Sequence, residues 1–595
     1  MVTIKELTEL DRSKFSDAAG GWAAVSNRGS AAMDRVNNEM IAKLQATQQG
    51  YTDEAARKSL ARLSSNFQYI HAECGLIRTA LSGLASELEG PQRKLKEALA
   101  DAAALKFTVE ANGAVKYPAT VPYAPNLSGA QPKGVPFAAS ADPNEGKARA
   151  IANRIVAALS EANEIDGRYA RALAKLKTDA TLKKPNWADV ARDTKEIQSA
   201  AGKYLKESDI PKGKSPKENA AWWGRLSQAQ REEYISVHPA SIGALDGLPA
   251  TARDEANRLV LAEARGSAEQ QLRDLDRGPK PKYEHHINPI TGLPLQGKGS
   301  KRLEWENKKK YLQDQLAGIK QIQNRFDQTG EGGLPKAYLL GFDVKGFGRA
   351  IVANGNPDTA EHTAVYVPGT TARLSNAEND MEKALALWRQ SNAMPGNPSV
   401  STVTWIGYSA PQTARPFEGG HIIPEASSLS YADKAAPQLS KFLDGVRTAQ
   451  GGPHASHLTV VGHSYGTTAI GDASVNGGGL GADDIVAVAS PGMLVKHADE
   501  LDAPKGHVWS EAASWTKDQV PAGGKIVRLG GDNELTPWLS PLNPLSQNVP
   551  SDRVFGANIM QTDSDDHGGY WKSDSVSLWN QAAVVTGNYD SVKRD

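Results

Sequence analysis

The chain has 595 residues, 39% of them hydrophobic, and its 68 lysines and arginines balance its 68 aspartates and glutamates. This length predicts about two to four domains with packed cores. The zero formal charge gives no electrostatic reason to bind nucleic acid or an anionic membrane, so we expect no nucleic-acid partner.

The single cysteine, Cys74, excludes an internal disulfide framework and a metal site built from several cysteines. No run of about eighteen apolar residues is present, so we predict no transmembrane segment. The first residues, MVTIKELTELDRSKF, carry charges every few positions and lack the apolar region of a secretory signal peptide. We therefore expect a cytoplasmic protein, or one exported by a route without a cleaved signal peptide.

Residues 1–105 have a helical pattern throughout and predict a long helical hairpin. Apolar residues recur at steps of three and four along its second half, at Leu60, Leu63, Phe67, Ile70, Cys74, Ile77, Leu81, Leu84 and Leu88. Gly50 and the start signal Thr52-Asp53-Glu54 separate this helix from an earlier one. Two interpretations stay open for the hairpin: a structural coiled coil, or a module for partner binding or secretion.

Residues 106–218 are interpreted as a linker followed by a helical segment. The stretch 106–145 is rich in Pro, Gly, Ala and Asn, which is typical of a linker. A helix is predicted at about 146–178. The stretch 179–217 is rich in lysine and interrupted by prolines, which is typical of a solvated surface.

Residues 219–595 form the last predicted domain, which begins with helices. Asn219 is placed to cap a helix that carries Trp222 and Trp223, and a second helix is predicted from about 250. A polar loop at 276–300 precedes a charged helix at about 301–326.

Strands and helices alternate in the C-terminal third. The predicted strands are Lys336–Phe342, Gly348–Ala353, Thr363–Val367, Thr402–Ile406, Leu458–Val461, Asp484–Ala489 and Lys505–Trp509 with its continuation. Helices are predicted between most of them, at about 376–390, 430–448, 467–474 and 493–501. Short β-branched runs separated by helices predict an α/β fold with a mostly parallel sheet covered on both faces.

Ser464 is the candidate nucleophile. It lies in Gly462-His463-Ser464-Tyr465-Gly466, and a bare G-x-S-x-G is a weak signal in a chain with 55 glycines. Here a buried-strand pattern, Leu458–Val461, runs into the motif and a helical stretch follows it. A strand, a sharp turn and a helix are what a nucleophile elbow requires, so this context favours a serine hydrolase.

A serine nucleophile needs a base that is oriented by an acid, and both follow it in the chain of enzymes with this elbow. Among the later histidines, His497 falls in a predicted helix and His507 opens a predicted strand. His567 lies in a turn-rich segment after the last strand candidate, Arg553–Met560, and is the predicted base.

The acid has two candidates. Asp518 follows the second strand after the nucleophile strand and is preferred. Asp532 follows another strand-like run, Lys525–Leu529, and is the alternative. The oxyanion hole needs two backbone N–H groups. We assign one to Tyr465 and the other to Thr370 or Thr371, after the strand that ends at Val367.

Two possible metal sites carry less weight. His454 and His457 have metal-ligand spacing but precede a strand and lack a third ligand, and the acidic segment 563–567 lacks the spacing of a calcium loop. We therefore predict no metal and no cofactor. The proline-rich loop at about 536–552 is interpreted as a lid.

The C-terminal sequence resembles an α/β-hydrolase family of uncharacterised function that is common in actinobacteria. The matching stretches are Trp222-Trp223, Gly243 to Ala250, Arg253 to Arg258, Tyr366 to Thr370, Gly462 to Gly466, Ser490-Pro491-Gly492, Val554 to Ala557 and His567-x-x-Tyr570-Trp571. They span about 219–590. The resemblance implies an α/β-hydrolase fold and a serine-hydrolase mechanism, with no substrate specified.

The N-terminal hairpin looks like the helical modules of type VII-secreted proteins, and Gly21-Trp22 matches their Trp-x-Gly turn in part. Two functions follow from the sequence. The first is a hydrolase of ester-like bonds in a small-molecule or lipid acyl substrate. The second is a secreted or partner-binding effector protein, whose N-terminal helices mediate the interaction and whose hydrolase activity is secondary.

Overall fold

The computed structural model describes residues 1–47, 51–120, 142–176, 185–281, 283–287, 294–297, 299–532 and 547–595. The chain forms two compact units. The first comprises Met1–Gly29, Ile70–Lys183 and Arg192–Asp209, and the second comprises Ser30–Tyr69, Lys184–Ala191 and Ile210–Asp595. Gly50, most of the predicted linker and most of the predicted lid lie outside the described residues.

The N-terminal region is mostly helical, as predicted. Its helices are α1 (Ile4–Glu9), α2 (Ser13–Arg35), α3 (Ala42–Thr47), α4 (Tyr51–Glu87), α5 (Glu89–Ala104), α6 (Pro143–Leu173) and α7 (Trp187–Ala200), with a π-helical stretch, Val36–Ile41, between α2 and α3. A short antiparallel pair, Thr108–Val109 with Val115–Lys116, follows α5. None of the described helices is both long and apolar enough to cross a membrane.

Close packing of α4 against α6 organises the first unit. A Cβ atom added at Gly83 would lie 2.3 Å from the hydroxyl oxygen of Tyr169, so only glycine lets the ring approach. The buried Tyr169 hydroxyl donates a hydrogen bond of 2.7 Å to Glu87 Oε1, and Arg168 pairs with the same carboxylate. Cys74 is buried, and this burial raises the pKa of its thiol to about 11, as expected of an apolar packing residue.

Helix α7 is a departure from the sequence prediction, because it lies inside the lysine-rich stretch read as solvated surface. Its buried face carries Trp187, Val190, Ile197 and Ala200. These residues recur at helical spacing, so the helix buries one side, while Arg192 and Lys195 are exposed. The average composition of the stretch concealed this periodicity.

The second unit begins with helices packed beside its sheet. They are α8 (Pro216–Arg225), α9 (Gln228–Val237), α10 (Pro239–Gly243), α11 (Ala250–Arg277) and α12 (Ser300–Asp327). An antiparallel pair of strands, Glu284–Ile287 and Pro294–Gly297, lies in the predicted polar loop.

The predicted cap of α8 is wrong. Ser215 caps the helix through a capping box with Glu218, and Pro216 occupies the first helical turn. Asn219 lies inside the helix, fully buried, and its side-chain nitrogen donates to the carbonyl of Asp246 at 2.9 Å.

Eight strands form the main sheet. They are β1 (Ala337–Asp343), β2 (Arg349–Asn354), β3 (His362–Val367), β4 (Val400–Ile406), β5 (His457–His463), β6 (Asp484–Val488), β7 (Val508–Glu511) and β8 (Asn558–Ile559). Their spatial order is β1-β2-β4-β3-β5-β6-β7-β8. Strand β2 is antiparallel to both neighbours, and all other pairs are parallel. The mostly parallel sheet predicted from the sequence is confirmed.

Five helices follow or connect the later strands: α13 (Ala377–Asn392), α14 (Ser430–Gln450), α15 (Tyr465–Val475), α16 (Val520–Ile526) and α17 (Val576–Val585). Alternate strand residues face opposite layers. Val365, Val460 and Ile485 pack in the core that includes α14 and α15, whereas Tyr366 and Val461 pack in the core that includes α13 and α17. The sheet is therefore buried on both faces, which is why its strands read as continuous apolar runs.

Two local predictions in this region are wrong. The stretch 493–501 contains only a short 3-10 turn, Ala498–Glu500, because Leu494 has a left-handed φ of 62° and its N–H donates to the carbonyl of Leu529. The strand expected at Lys525–Leu529 begins instead as the end of α16. In both cases tertiary contacts override local preference.

Candidate active site

Ser464 occupies a sharp turn between β5 and α15. Its backbone has φ 54° and ψ −131°, a region that disfavours residues with a Cβ atom. Such a conformation costs about 1–3 kcal/mol and persists only where its surroundings enforce it. The Ser464 N–H donates to the carbonyl of Val488 at 3.0 Å, and the Thr467 hydroxyl donates to the Ser464 carbonyl at 2.7 Å. The turn is therefore held from the neighbouring strand and from the following helix.

The two glycines around the turn are sterically required. A Cβ at Gly462 would lie 2.6 Å from Ile470 Cδ1, and one at Gly466 would lie 2.1 Å from the carbonyl oxygen of Val367. Strand and helix can therefore meet only if both positions lack a side chain. The same approach brings the end of β3 against the start of α15.

Asp518 and His567 are brought together at the edge of the sheet where β5 and β7 end. His567 Nδ1 lies 3.1 Å from Asp518 Oδ1 and 3.0 Å from Oδ2. The side chain of Asp518 is fully buried, and it also accepts hydrogen bonds from the Tyr570 hydroxyl at 2.8 Å and the Val520 N–H at 3.0 Å. Burial alone would raise the pKa of Asp518, but His567 and these donors outweigh it and hold the pKa below its usual range. The carboxylate is therefore ionised at neutral pH.

Asp532 lies in a different environment. It belongs to a short antiparallel pair, Gly531–Asp532 with Gln547–Asn548. Its carboxylate accepts from Gln547 Nε2 at 3.2 Å and pairs with Arg528 at 3.4 Å. His567 contacts Asp518, not this second acid candidate.

His567 also packs against the residue before Ser464. The ring centroids of His567 and His463 are 4.7 Å apart. Among the described contacts, the Ser464 hydroxyl makes no direct hydrogen bond to His567. Hydrogen bonds between a catalytic serine and its base commonly form fully only when a substrate binds. The contact nevertheless places the His567 ring beside the turn that carries Ser464.

The loop after β3 lies directly over this turn. A Cβ at Gly369 would lie 2.8 Å from Ser464 Cβ and 3.0 Å from the backbone nitrogen of Tyr465. Tyr465 is the first residue of α15, so its N–H has no acceptor within the helix. The Thr371 N–H donates to the carbonyl of Pro411 at 2.7 Å, whereas the Thr370 N–H has no acceptor among the described residues. Of the two threonines, only Thr370 has a backbone donor free to bind another group.

Residues 343–522 match the model of a family described as alpha/beta hydrolase. This match covers the strands from β2 to β7, and the strand order with one antiparallel strand near the edge agrees with it. The C-terminal domain has the α/β-hydrolase fold. The expected fold is thus confirmed, and the match supports hydrolase activity in general terms.

Curated relatives of this chain come from mycobacteria. The uncharacterized protein Rv2079 of Mycobacterium tuberculosis is 28% identical over 409 residues, which are 65% of this chain and 58% of the relative. The uncharacterized protein Mb0988c of Mycobacterium bovis is 29% identical over 167 residues, which are 27% of this chain and 58% of the relative. The chain thus spans less than two thirds of the length of these relatives. No solved structure matches it significantly.

The α/β-hydrolase domain has no metal-ligand cluster in its described part, where no group of three or more His, Cys, Asp or Glu side chains could hold an ion. One of the two histidines considered for a metal, His457, has other partners in the fold. His457 lies against Asp484, with 2.9 Å between Nε2 and Oδ2. The acidic segment before His567 uses Asp563 to accept the backbone N–H groups of Val576 and Ser577, at the start of α17.

Tyr570 is the site residue whose role the sequence did not reveal. Its hydroxyl donates to Asp518 and accepts the N–H of Ala513 at 2.8 Å, so it links the acid to the end of β7. The sequence signal was its position three residues after His567. The position of Tyr570 in the sequence does not reveal its contact with Asp518, because only the fold brings these two side chains together.

Proposed function

We propose that the α/β-hydrolase domain is a serine hydrolase that cleaves ester-like acyl bonds through an acyl-enzyme. Ser464 is the nucleophile, His567 the general base and Asp518 the acid that orients it. The observation that carries this proposal is the hydrogen-bonded Asp518–His567 pair beside the strained turn of Ser464. A base oriented by a buried carboxylate is what a serine hydroxyl needs in order to react.

In the first half-reaction, Ser464 Oγ attacks the carbonyl carbon of the substrate while His567 Nε2 takes its proton. The resulting oxyanion accepts hydrogen bonds from two backbone N–H groups, that of Thr370 in the loop after β3 and that of Tyr465 at the N-terminus of α15, where the helix dipole favours negative charge. The bond to the leaving group then breaks, and His567 returns the proton to that group. The acyl chain stays on Ser464.

In the second half-reaction, His567 takes a proton from water, and the hydroxide attacks the acyl carbon. Collapse of this tetrahedral intermediate releases the carboxylic acid and returns the proton to Ser464. Asp518 remains ionised throughout, in keeping with its lowered pKa, and stabilises the imidazolium form of His567. The acyl substrate is a small molecule or a lipid.

The experiment is hydrolysis of nitrophenyl esters with short, medium and long acyl chains by the full-length protein and by Ser464→Ala. We expect a burst of nitrophenolate that matches the enzyme concentration, because the acyl-enzyme accumulates when deacylation is slow. The variant should show neither burst nor turnover above the uncatalysed rate. Turnover by Ser464→Ala equal to that of the wild type would contradict the proposal, and the chain-length profile would identify the acyl class.

A further inference from the structure

His463, the residue before the candidate nucleophile, makes a hydrogen bond that the proposed mechanism does not use. Its side chain is buried with 7% of its surface exposed, and its Nε2 lies 2.9 Å from the backbone carbonyl oxygen of His567. A carbonyl oxygen only accepts, so Nε2 must carry the proton and donate it. The contact therefore fixes the tautomer of His463.

His463 stays neutral in this position. Burial lowers the pKa of its imidazole well below the usual value, and the positive charge of Lys383 lowers it further. Lys383 lies 5.2 Å from the centre of the Trp571 ring, and the centre of that ring is 4.9 Å from the centre of the His463 ring. A neutral imidazole with its proton on Nε2 cannot take a proton through that nitrogen. Nε2 of His463 is therefore a hydrogen-bond donor, and the lowered pKa makes the other ring nitrogen, Nδ1, a poor base.

The loop that carries His567 needs hydrogen bonds to hold its backbone in place. Two glycines, Gly568 and Gly569, follow His567 directly, and glycine loses more backbone freedom on ordering than any other residue. The loop is braced internally by Ser564, whose hydroxyl donates to the carbonyl of Asp566 at 2.7 Å, and by the Gly568 N–H, which donates to Asp566 Oδ1 at 2.8 Å. Neither bond links the loop to the turn of Ser464.

The His463 bond supplies that link. Asp518 holds the imidazole of His567 through Nδ1, and His463 holds the backbone of the same residue through its carbonyl. Because His463 is covalently attached to Ser464, its side chain ties the backbone of the base to the backbone of the nucleophile. The two rings, 4.7 Å apart and inclined by 31°, also restrict how far His567 can swing.

We propose that His463 is a positioning residue, which sets the distance between His567 and Ser464 through this hydrogen bond. The proposal rests on the proposed function, since it assigns a role within the same site. It gives a physical reason for a histidine at the second position of Gly462-His463-Ser464-Tyr465-Gly466. Position 463 requires a neutral side chain that fits a buried space and donates a hydrogen bond from the end farthest from the backbone.

Two variants test the proposal in the full-length protein. His463→Leu keeps an apolar side chain of related size without a donor, whereas His463→Gln keeps an N–H donor at its far end. We expect kcat for a nitrophenyl ester to fall about 10- to 100-fold in His463→Leu, since a misplacement of about 1 Å costs about that much. KM should change little, and His463→Gln should recover most of the lost kcat. Equal kcat losses in both variants, or an unchanged kcat in His463→Leu, would overturn the proposal.

Hydrogen exchange separates this inference from the proposed function. Amide exchange in residues 561–571, followed by mass spectrometry, should become faster in His463→Leu and remain unchanged in Ser464→Ala. This readout needs no activity, so it reports on the support of the loop even if Ser464 proves unreactive. Exchange in the loop as slow in His463→Leu as in the wild type would exclude the positioning role.

Discussion

Asp518, the proposed acid, lies in an environment unlike that of an ordinary surface carboxylate. It is buried, ionised and held by three groups, one of which is His567. Asp532 instead forms an ion pair with Arg528, and its side chain is half-exposed. The order of strands in the sequence favours Asp518, but the sequence contains no direct signal of its contact with His567, because 48 residues separate the two along the chain.

The two acid candidates make a matched pair of variants. Asp518→Asn should lower kcat about 10³- to 10⁴-fold, because an amide facing Nδ1 favours the wrong tautomer of His567. Asp532→Asn should keep kcat close to that of the wild type. Steady-state ester hydrolysis at saturating substrate measures both. A greater loss in Asp532→Asn than in Asp518→Asn would show that the acid is assigned to the wrong residue.

At the scale of elements, the strands were predictable and several of their flanking segments were not. Strands β1 to β6 fall within about two residues of their predicted starts, because buried β-branched runs bounded by turns leave little ambiguity. The stretch Lys525–Leu529 has the same composition but starts within α16. Its conformation depends on the close approach of Gly524 to Pro491, where an added Cβ would lie 1.8 Å from the carbonyl oxygen, and local sequence does not encode that contact.

The opposite edge of the sheet is closed by a buried ionic cluster that joins β5 and β6 to the C-terminal segment. Asp484 accepts hydrogen bonds from Tyr589 at 2.7 Å and Trp509 at 2.7 Å, and it contacts His457 and His507. His457 Nδ1 also lies 3.0 Å from the carbonyl of Val585 in α17. Because the two ring nitrogens of His457 face the Asp484 carboxylate and the Val585 carbonyl, which both accept, the arrangement favours the protonated imidazole, which donates from both nitrogens.

This cluster predicts a pH-dependent stability. Burial lowers the pKa of His457, but the hydrogen bond and charge of Asp484 outweigh it and raise the pKa overall. A raised pKa stabilises the fold fully below the unfolded value of about 6.5, and this contribution is lost as the pH rises through the folded value. His457→Gln should therefore lower the free energy of unfolding by about 1–3 kcal/mol at pH 6, and by less as the pH increases.

Urea unfolding of the wild type and the variant across this pH range measures the difference directly. Neighbouring His362 has a pKa that burial and the charge of His457 lower, so the difference between the two proteins includes the release of His362 from that charge. The control is His421→Gln, because His421 is exposed and lies 3.6 Å from Glu425. A stability difference for His457→Gln that grows with pH would have the wrong sign for this account.

At the scale of the whole molecule, the second unit includes segments that the sequence assigned elsewhere. Residues 30–69 belong to the predicted hairpin, yet Asp34 pairs with Lys336 at 3.2 Å and a Cβ at Gly330 would lie 2.2 Å from Ala42 Cβ. Trp187 and Ala188 pack closely in this unit as well, since a Cβ at Gly266 would lie 2.5 Å from the nitrogen of Ala188. Such long-range packing leaves no periodic pattern in the sequence. The predicted start of the last domain at residue 219 therefore rested on the change in composition there.

A pair of truncations tests the importance of these segments. The fragment 210–595 should unfold at a lower temperature than the second unit in the full-length chain, by about 1 °C for each kcal/mol of packing lost. The fragment 30–595 keeps every segment of that unit and should retain its transition. Calorimetry records both. Equal transitions in the two fragments would show that residues 30–69 and 184–191 contribute little to the stability of the α/β-hydrolase domain.

The central claim is that the fold makes Ser464 uniquely reactive. A fluorophosphonate probe bonds covalently to an activated serine, and intact-mass and peptide analysis identify the labelled residue. The account predicts one label per chain, on the peptide that contains Ser464, with no label in Ser464→Ala and full labelling in Ser573→Ala, which removes an exposed serine of a nearby loop. Equal labelling of the wild type and Ser464→Ala would contradict the account.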